Sequence, residues 1–425
     1  MSDAVNEKIC APGAPAPSST SPPRRSRFGD ELELFRSDVR AFIRSNLSPD
    51  IAARTRRLSF FENWSDKVSW NRTLHAHGWS MPQWPAEFGG CGWSALQNHI
   101  FEEECFAADA PRVPFMGRYL VGPVIYTFGS EWQKERFLPP ILEGSETWAQ
   151  GFSEPNAGSD LASLKMRADL DGDNYVINGQ KIWTTDAHEA DWGFLLVRTD
   201  SGTERSRGLS FILADLRSPG VSIRPIRTID GRRHVNEMFF EDVVVPARNL
   251  VGEPGKGWEY ANFLLAHERT TSAEIYWSKR ELTKARDLLR SPLVQNSCNA
   301  DGWRTRLIRL EMDALALEYS VLRILMAGGG DHDDFDRNAT ASSLKVRGAR
   351  LQQRLSELQM EMIGIRGLRA FGEGEIYAHD ERASPMWPND LVGKTSSALL
   401  LCGASIYGGS EEIQKNIIAK RGFGL

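Results

Sequence analysis

A loop crowded with small and polar residues is the first part of the chain whose residue types could do chemistry. Residues 150–160 read Gln-Gly-Phe-Ser-Glu-Pro-Asn-Ala-Gly-Ser-Asp. Their hydroxyl and backbone N–H groups could hydrogen-bond the polar edge of a flat ring system, or could simply cap a helix in an ordinary Pro/Gly turn. The segment Trp-Thr-Thr-Asp follows at 183–186. A lone strand Trp usually belongs to the core, but together with this loop Trp183 favours an aromatic wall for a bound ring.

The signatures of several other chemistries do not occur in the sequence. A Gly-x-Gly-x-x-Gly run after a strand, a Walker A sequence and a Gly-x-Ser-x-Gly turn are all absent, which argues against Rossmann, P-loop and hydrolase sites. The five cysteines are scattered without Cys-x-x-Cys spacing, and the histidines show no ligand spacing, so we expect no metal. A net charge of −5 argues against nucleic acid as a partner. No apolar run reaches the roughly 18 residues of a membrane span.

Hydrophobic periodicity separates a tail from a helical part. Residues 1–28 are rich in Pro, Ser and Ala and are predicted to be a disordered tail. The tail lacks the apolar core of a secretory signal and carries acids and prolines that a mitochondrial presequence avoids, so a cytoplasmic protein is expected. Residues 29–146 have apolar side chains at three- and four-residue steps. This pattern predicts an N-terminal helical domain with helices over 32–47, 61–77, 96–108 and 130–142.

The rest of the chain predicts a β domain followed by a helical bundle. Residues 147–257 change to a period of two, which indicates a compact β-barrel or sandwich, and Asn178-Gly179 predicts a tight hairpin turn. Further strands are expected over 193–198, 209–214, 221–223 and 235–245. Residues 258–425 predict a C-terminal four-helix bundle. Its helices are expected over 258–291, 303–327, 341–365 and 390–421. The fold class is therefore an α+β multidomain protein.

Three segments together resemble the acyl-CoA dehydrogenase family. They are the loop at 150–160, the run Asn-Gly-Gln-Lys-Ile-Trp-Thr-Thr at 178–185, and the run Ile-Tyr-Gly-Gly-Ser-Glu-Glu-Ile-Gln-Lys-Asn-Ile-Ile-Ala-Lys at 406–420. The resemblance extends from around residue 30 to the C-terminus, in the family's order and spacing. It is strongest to bacterial large subunits that act on pimeloyl-, sterol-side-chain or other bulky acyl-CoAs. It implies the same three domains, with FAD between the last two.

The resemblance also implies which residues hold the cofactor. Trp183 would pack on the isoalloxazine, Thr185 would hydrogen-bond near N5, and Ser159 would also lie near the acyl-CoA. The full set of implied FAD contacts is Gln150, Phe152, Ser153, Gly158, Ser159, Trp183, Thr185, Gly409 and Ser410. Because a flavin is apolar on its faces and polar on its edges, an aromatic wall with nearby donors suits it.

The reaction that the resemblance implies is α,β-dehydrogenation of an acyl-CoA thioester to the trans-2-enoyl-CoA. A base removes the α-proton while a hydride passes from Cβ to flavin N5, and the weakly acidic proton requires a desolvated carboxylate. Most members place this Glu directly after the Tyr of the C-terminal run, but here Gly408 follows Tyr407. Isovaleryl- and long-chain-type members carry it on the first helix of the C-terminal domain, where this chain has Glu268-Arg269. The resemblance thus implies Glu268 as the base and Arg269 as a substrate contact, although an ordinary surface Glu–Arg pair has the same sequence.

A second departure from the family concerns assembly. Homotetrameric members carry an Arg-x-x-Phe-Gly stretch that reaches the FAD pyrophosphate of a neighbouring subunit, but residues 279–286 read Lys-Arg-Glu-Leu-Thr-Lys-Ala-Arg. We therefore expect a heterotetramer with a related small subunit, and a homotetramer stays open if Arg280 or Arg286 substitutes. The implied electron acceptor is an electron-transferring flavoprotein.

Two other functions stay open at this point. Some relatives with this fold are flavin monooxygenases or oxidases, which activate oxygen and need no α-proton base. Alternatively, the chain could be a non-catalytic subunit that completes the FAD site of a partner. The sequence does not identify the acyl chain in either case.

Overall fold

The structure is a computed structural model. It describes residues 29–58, 62–203, 205–271, 273–326, 337–380 and 387–425, without the side chains of 266–271, Arg337 and Asp390. The tail predicted for residues 1–28 lies outside the described residues. Within the described ranges, no helix has the length and apolar character needed to cross a lipid bilayer.

The N-terminal part is helical, as its periodicity predicts. Its helices are α1 (Asp30–Asn46), α2 (Pro49–Leu58), α3 (Trp64–Ala76), α4 (Ala95–Ala107), α5 (Gly122–Phe128) and α6 (Glu131–Glu143). Ser94 and Ser130 begin α4 and α6 in capping boxes with Gln97 and Gln133, which satisfies backbone N–H groups at each helix start. Two of these helices are not predicted by the periodicity: α2, which is rich in arginine, and α5, which follows a π-helical turn over Met116–Val121.

The middle part is one curled sheet with seven strands among the described residues. They are β1 (Trp148–Gly151), β2 (Arg167–Asp171), β3 (Asn174–Thr185), β4 (Trp192–Arg198), β5 (Leu209–Asp215), β6 (Val221–Ile226) and β7 (Val235–Pro246). The strand order is β1-β4-β2-β3-β7-β6, and β5 pairs with β4. Strand β4 thus contacts β1, β5 and, at the pair Arg167 and Arg198, β2. The predicted compact β domain is confirmed in this form.

Strands β4 and β5 are buried on both faces, which explains their nearly continuous apolar sequence. One set of alternating side chains packs with the N-terminal helices: Phe194, Leu196, Phe211 and Leu213. The other set packs with β3 and β7: Leu195, Val197, Ile212 and Ala214. The two strands are therefore a shared wall between two hydrophobic cores.

The Asn178-Gly179 pair is not the hairpin turn that its sequence predicts. Strand β3 runs straight through it, and the tight turn to β2 lies earlier, between Asp171 and Asn174. Asn178 instead bonds across to β7: its Nδ2 donates to Asp242 Oδ1 at 2.9 Å, and its Oδ1 accepts from the Asp242 N–H at 2.9 Å. Gly179 follows with a φ of 146°, at a register shift in the β3–β7 pairing. The pair therefore forms a β-bulge, in which the Asn178 side-chain amide is bonded to Asp242 of β7.

The C-terminal part is helical, but two of the four long predicted helices are interrupted. The helices are α7 (Gly257–Thr271), α8 (Ile275–Arg290), α9 (Ala300–Met326), α10 (Arg337–Ile363), α11 (Glu373–Tyr377), α12 (Asn389–Val392), α13 (Lys394–Leu401) and α14 (Glu411–Ile417). The segment 258–291 breaks before α8, where Glu274 has a left-handed φ of 48°. The segment 390–421 breaks at glycines, and Gly408 and Gly409 have φ values of 65° and 88°.

One buried cluster joins the long helices α8, α9 and α10 with α13. Gly348 of α10 lies so close to the break before α8 that a Cβ there would be 2.3 Å from the Ala273 carbonyl oxygen. The close approach fixes the position of the break against the bundle. The predicted helical bundle is thus confirmed, with shorter helices at its ends.

Candidate active site

A bulge in β3 holds Trp183 out of the protein. The β3–β7 register shifts between Lys181 and Thr184. Trp183 has a φ of 60°, a left-handed conformation that is strained for a bulky residue, and 59% of the residue is exposed. Thr184 is buried and fixes the bulge, because its Oγ1 donates to the Asn236 carbonyl at 2.9 Å and Asn236 Nδ2 donates back to the Thr184 carbonyl at 2.8 Å. These two hydrogen bonds hold the strained backbone of Trp183 in place.

The end of the same strand is tied to the N-terminal helices. Asp186 has a left-handed φ of 54°, and its N–H donates to the His234 carbonyl at 2.9 Å. Its carboxylate accepts from Lys67 Nζ of α3 at 3.1 Å. Because Lys67 is buried, this ion pair is a fixed link between α3 and the Trp183 bulge. Thr185, between the two features, is half-buried.

A buried lysine clamps the polar loop beside this bulge. Lys181 Nζ donates to the carbonyls of Phe152 and Leu196, at 3.0 and 2.7 Å, and to Glu154 Oε1 at 2.9 Å. Burial lowers the pKa of Lys181 to about 8, against the raising effect of the Glu154 carboxylate. Ser153 also contacts β3, since its carbonyl accepts from the Ile182 N–H at 2.9 Å.

Glu154 closes the far side of the loop. Its two carboxylate oxygens accept from the backbone N–H groups of Lys165 and Met166, at 2.7 and 2.8 Å. Sequence reasoning missed Glu154, Lys181, Asn236 and the Lys67–Asp186 pair. The only hint in the sequence is Lys181, a charged residue within a strand of mostly apolar and uncharged residues. The groups that it binds, on Phe152, Glu154 and Leu196, lie 15 to 29 residues away in sequence.

The predicted loop residues occupy three different environments. Gln150 lies on β1 opposite Phe194 of β4 and is half-buried. Phe152 is buried between Phe194 and Phe211, with ring centroids 5.9 and 6.1 Å away, so its side chain belongs to the core. Gly158 and Ser159 are exposed on the loop. The structure therefore brings Ser153 and the exposed loop to the same strand as Trp183.

The C-terminal segment forms a tight turn before α14. Gly408 and Gly409 are left-handed, and Ser410 caps the helix by accepting from the Ile413 N–H at 3.3 Å. A Cβ at Gly409 would lie 2.4 Å from Gln414 Nε2, so a side chain there would displace this glutamine. The contacts named for this turn all lie within the C-terminal part.

The residues proposed for catalysis lie on α7. Glu268 and Arg269 are within the helix, but their side chains are outside the described part of the structure. The preceding turns of α7 pack on the N-terminal helices through Tyr260 and Phe263, whose rings are 4.5 and 5.0 Å from the Phe128 ring. Gly408, at the position where the resemblance implies a base in most family members, has no side chain.

The two arginines considered as substitutes for the pyrophosphate contact differ in position. Arg280 is buried, 3.8 Å from Asp109 and 3.6 Å from Glu281, with its guanidinium over the Phe106 ring. Arg286 is partly exposed and pairs with Glu311 at 2.6 Å. Arg280 thus points into the bundle, and Arg286 is the one of the two on the surface.

These features fit the flat ring of FAD. An exposed aromatic side chain on a strained backbone can cover a ring face, and the adjacent loop supplies hydroxyl and backbone groups to a polar edge. Trp183 would cover the ring, and Ser153 and Thr185 would lie beside it. The left-handed φ values of Gly408 and Gly409 form the tight turn that brings Ser410 to the start of α14.

Family models cover most of the chain. Residues 29–145 match the N-terminal domain of the acyl-CoA dehydrogenases, residues 149–243 the middle domain, and residues 255–423 the C-terminal domain. The chain is 38% identical over 411 residues to the acyl-CoA dehydrogenase IpdE1 of Mycobacterium tuberculosis, covering 93% of this chain and 98% of that relative.

Solved structures show the same fold. The Tcur3481–Tcur3483 steroid acyl-CoA dehydrogenase aligns with a TM-score of 0.78 at 28% identity, over 93% of this chain and 97% of that one. The ChsE4–ChsE5 complex of Mycobacterium tuberculosis aligns with a TM-score of 0.73 at 29% identity, over 95% and 99%. On these matches and the fold, the chain belongs to the acyl-CoA dehydrogenase family of FAD-dependent oxidoreductases.

Proposed function

We propose that the chain dehydrogenates an acyl-CoA thioester to the trans-2-enoyl-CoA, with Glu268 as the α-proton base. The observation that carries this proposal is the strained, exposed Trp183 at a bulge that buried Thr184 and Asn236 hold in place. FAD, when bound, supplies the hydride acceptor. The proposed domains are residues 29–146, 147–257 and 258–425.

The chain's own residues then have separate tasks. Trp183 covers one ring face, and Gln150, Ser153 and Thr185 contact the ring edge. Phe152, whose side chain is in the core, contributes its backbone, and Gly158 and Ser159 extend the loop toward the substrate. Gly409 and Ser410 approach from the C-terminal part.

Glu268 is proposed as the base for two reasons. Gly408 leaves no carboxylate at the alternative position, and Glu268 lies on α7, whose first turns pack against the N-terminal helices and the sheet. Arg269, the next residue, would balance the charge or contact CoA.

Replacing the base provides the test. Glu268→Gln keeps the side-chain shape but cannot accept a proton, so we expect dehydrogenation to fall about 10²- to 10⁴-fold while FAD stays bound. Glu259→Gln, an exposed residue of the same helix, is the matched control and should be active. Turnover is measured with ferrocenium as acceptor, and release of peroxide in air would indicate an oxidase instead. Glu268→Gln activity within about tenfold of the wild type would remove Glu268 from this role.

We further propose a bulky acyl group and a related second chain. A relative of known structure is described as a steroid acyl-CoA dehydrogenase, and another is a complex of two different chains. The outer face of α9 supports a partner, because it exposes an apolar stripe: Ile308, Met312, Leu315 and Met326. The electron-transferring flavoprotein and the cytoplasmic location stay predictions.

A further inference from the structure

A tight turn between β6 and β7 lies where the three parts of the chain meet. This junction turn, residues 228–234, is closed by the Thr228 N–H, which donates to the Arg232 carbonyl at 3.0 Å. Asp230, Arg232 and His234 are all buried. Burial lowers the pKa of Arg232 and of His234, and in both cases the Asp230 carboxylate opposes the effect. Because burying ionisable groups costs free energy, three of them in one short turn indicate that its position is tightly specified.

The junction turn contacts the N-terminal part at the end of α2. Arg232 Nη2 donates to the Leu58 carbonyl at 3.3 Å. Ser397 Oγ, from α13 of the C-terminal part, lies 3.5 Å from the same oxygen. The two helices approach closely here, since a Cβ on Gly393, the residue before α13, would be 1.8 Å from the Arg57 carbonyl oxygen. The start of α13 therefore has a fixed position against the end of α2.

The same turn joins α13 to the strand that carries Trp183. Ser396 Oγ of α13 is buried and donates to the Asp230 carbonyl at 3.0 Å. At the other end of the turn, the His234 carbonyl accepts from the Asp186 N–H at 2.9 Å. Asp186 follows the end of β3, three residues after Trp183. A displacement of the junction turn from α13 would therefore reach Trp183 through Asp186.

The C-terminal side of the proposed flavin site continues from α13. The chain leaves α13 and enters the turn before α14, which contains Gly409 and Ser410. Trp183, on the opposite side of the proposed site, belongs to the middle part. The hydrogen bond from Ser396 to the junction turn thus joins the two elements that lead to the two sides of the site.

We propose that Ser396 is a positioning residue for FAD: by holding the junction turn against α13, it sets the separation between Trp183 and the turn before α14. The proposal rests on the function proposed above. A ring bound between two surfaces needs the correct spacing, because a gap of about 0.5–1 Å already removes about a quarter to a half of the dispersion energy of a contact. Ser396 acts through the junction turn and takes no part in the chemistry.

Ser396→Ala tests the proposal, because it removes one hydrogen bond and little volume. The chain is studied in the assembly in which it is isolated, with the flavin removed and FAD titrated back. We expect the Kd for FAD to rise about two- to tenfold, as for one lost hydrogen bond, and the visible absorption bands of the bound flavin to shift. Without flavin, the Asp186 amide should exchange faster with deuterium. Ser37→Ala is the matched control, because the exposed Ser37 hydroxyl bonds only within α1, to the Glu33 carbonyl at 3.0 Å.

A double variant shows whether the effect passes through Trp183. In the Trp183→Gly background, Ser396→Ala should change the Kd for FAD less than it does in the wild type, because the wall that it positions is already gone. Circular dichroism reports the folded state of each variant. An unchanged Kd and unchanged absorption bands in Ser396→Ala, or an equal loss of affinity in both backgrounds, would overturn the positioning role. A wild-type assembly that binds FAD but dehydrogenates no acyl-CoA would instead overturn the proposed function.

Discussion

At the scale of single residues, Trp183 combines an exposed aromatic ring with a strained backbone. An aromatic side chain that is 59% exposed gains little from burial, and its left-handed backbone costs about 1–2 kcal/mol. The surrounding hydrogen bonds of Thr184 and Asn236 keep the strained conformation in place. Such strain is typical of residues that are positioned for a ligand.

We therefore expect Trp183→Gly to separate stability from cofactor binding. Glycine adopts a positive φ without strain, so the free energy of unfolding without flavin should stay the same or rise by about 1 kcal/mol. Flavin retention should fall, as measured by absorbance after gel filtration. Leu170→Gly, an exposed apolar strand residue of β2, is the control and should retain flavin. Unchanged flavin affinity in Trp183→Gly would return the residue to an ordinary surface role.

The buried Lys181 makes stability depend on pH. Its pKa is about 8 in the folded chain and near 10.5 when unfolded, so the unfolded state binds more protons between these values. The Lys181 contribution to stability therefore rises as the pH increases from 8 to 10.5, and is lost as the pH falls through 8. Compared with Lys181→Met, the wild type should gain up to about 3 kcal/mol over this range. Urea unfolding at several pH values measures the difference, and parallel pH profiles for the two proteins would contradict it.

At the scale of elements, α3 and β3 are joined through one ion pair. Lys67 and Asp186 are 3.1 Å apart, with only 10% and 20% of their side chains exposed. Asp186 ends the strand that carries Trp183. The helix therefore holds the end of the bulge, on the side of the sheet where we propose that FAD binds.

Lys67→Met should disturb the bulge more than the fold. Leaving the largely buried Asp186 without its partner costs about 3–5 kcal/mol, and the end of β3 should relax first. We expect weaker flavin retention and an altered visible absorption spectrum, with less change in Lys67→Arg. Lys256→Met, which removes an exposed pair with Glu253, should change neither property. An unaltered flavin spectrum in Lys67→Met would show that the link does not reach the cofactor.

Local patterns predicted the elements, and long-range partners decided the details. The periodicity of residues 209–214 and 303–327 predicted the ends of β5 to within one residue and those of α9 to within three. Asn178-Gly179 was wrongly predicted as a turn because its partner, Asp242, is far away in sequence. Likewise, nothing local in the segment 258–291 indicates the break before α8. At this break Ala273 lies against Gly348 of α10, and Glu274 pairs with Arg112 of the N-terminal part. The side chains of the predicted flavin loop could be named from a resemblance, but the Lys181 clamp required the fold.

At the scale of the whole molecule, the apolar stripe on α9 predicts assembly. The chain produced together with a related small subunit should form a heterotetramer that carries fewer FAD molecules than chains. Introducing charge with Met312→Glu and Leu315→Glu should lower the native mass measured by light scattering, because the stripe would no longer exclude water. Leu170→Glu, equally exposed on β2, should not. A homotetramer of this chain alone, with one FAD per chain and full activity, would contradict the heteromer.

The shared wall formed by β4 and β5 has a consequence for how the molecule opens. Since alternate side chains of these strands belong to two cores, neither core can come apart while the other stays intact. Amide protons of β4 and β5 should therefore exchange with deuterium only when the entire N-terminal and middle assembly unfolds, and should be among the last to do so. The edge strand β6, with its largely exposed side chains, is free to fray on a faster timescale. We therefore expect slow amide exchange in β4 and β5 and faster exchange, through local opening, in β6.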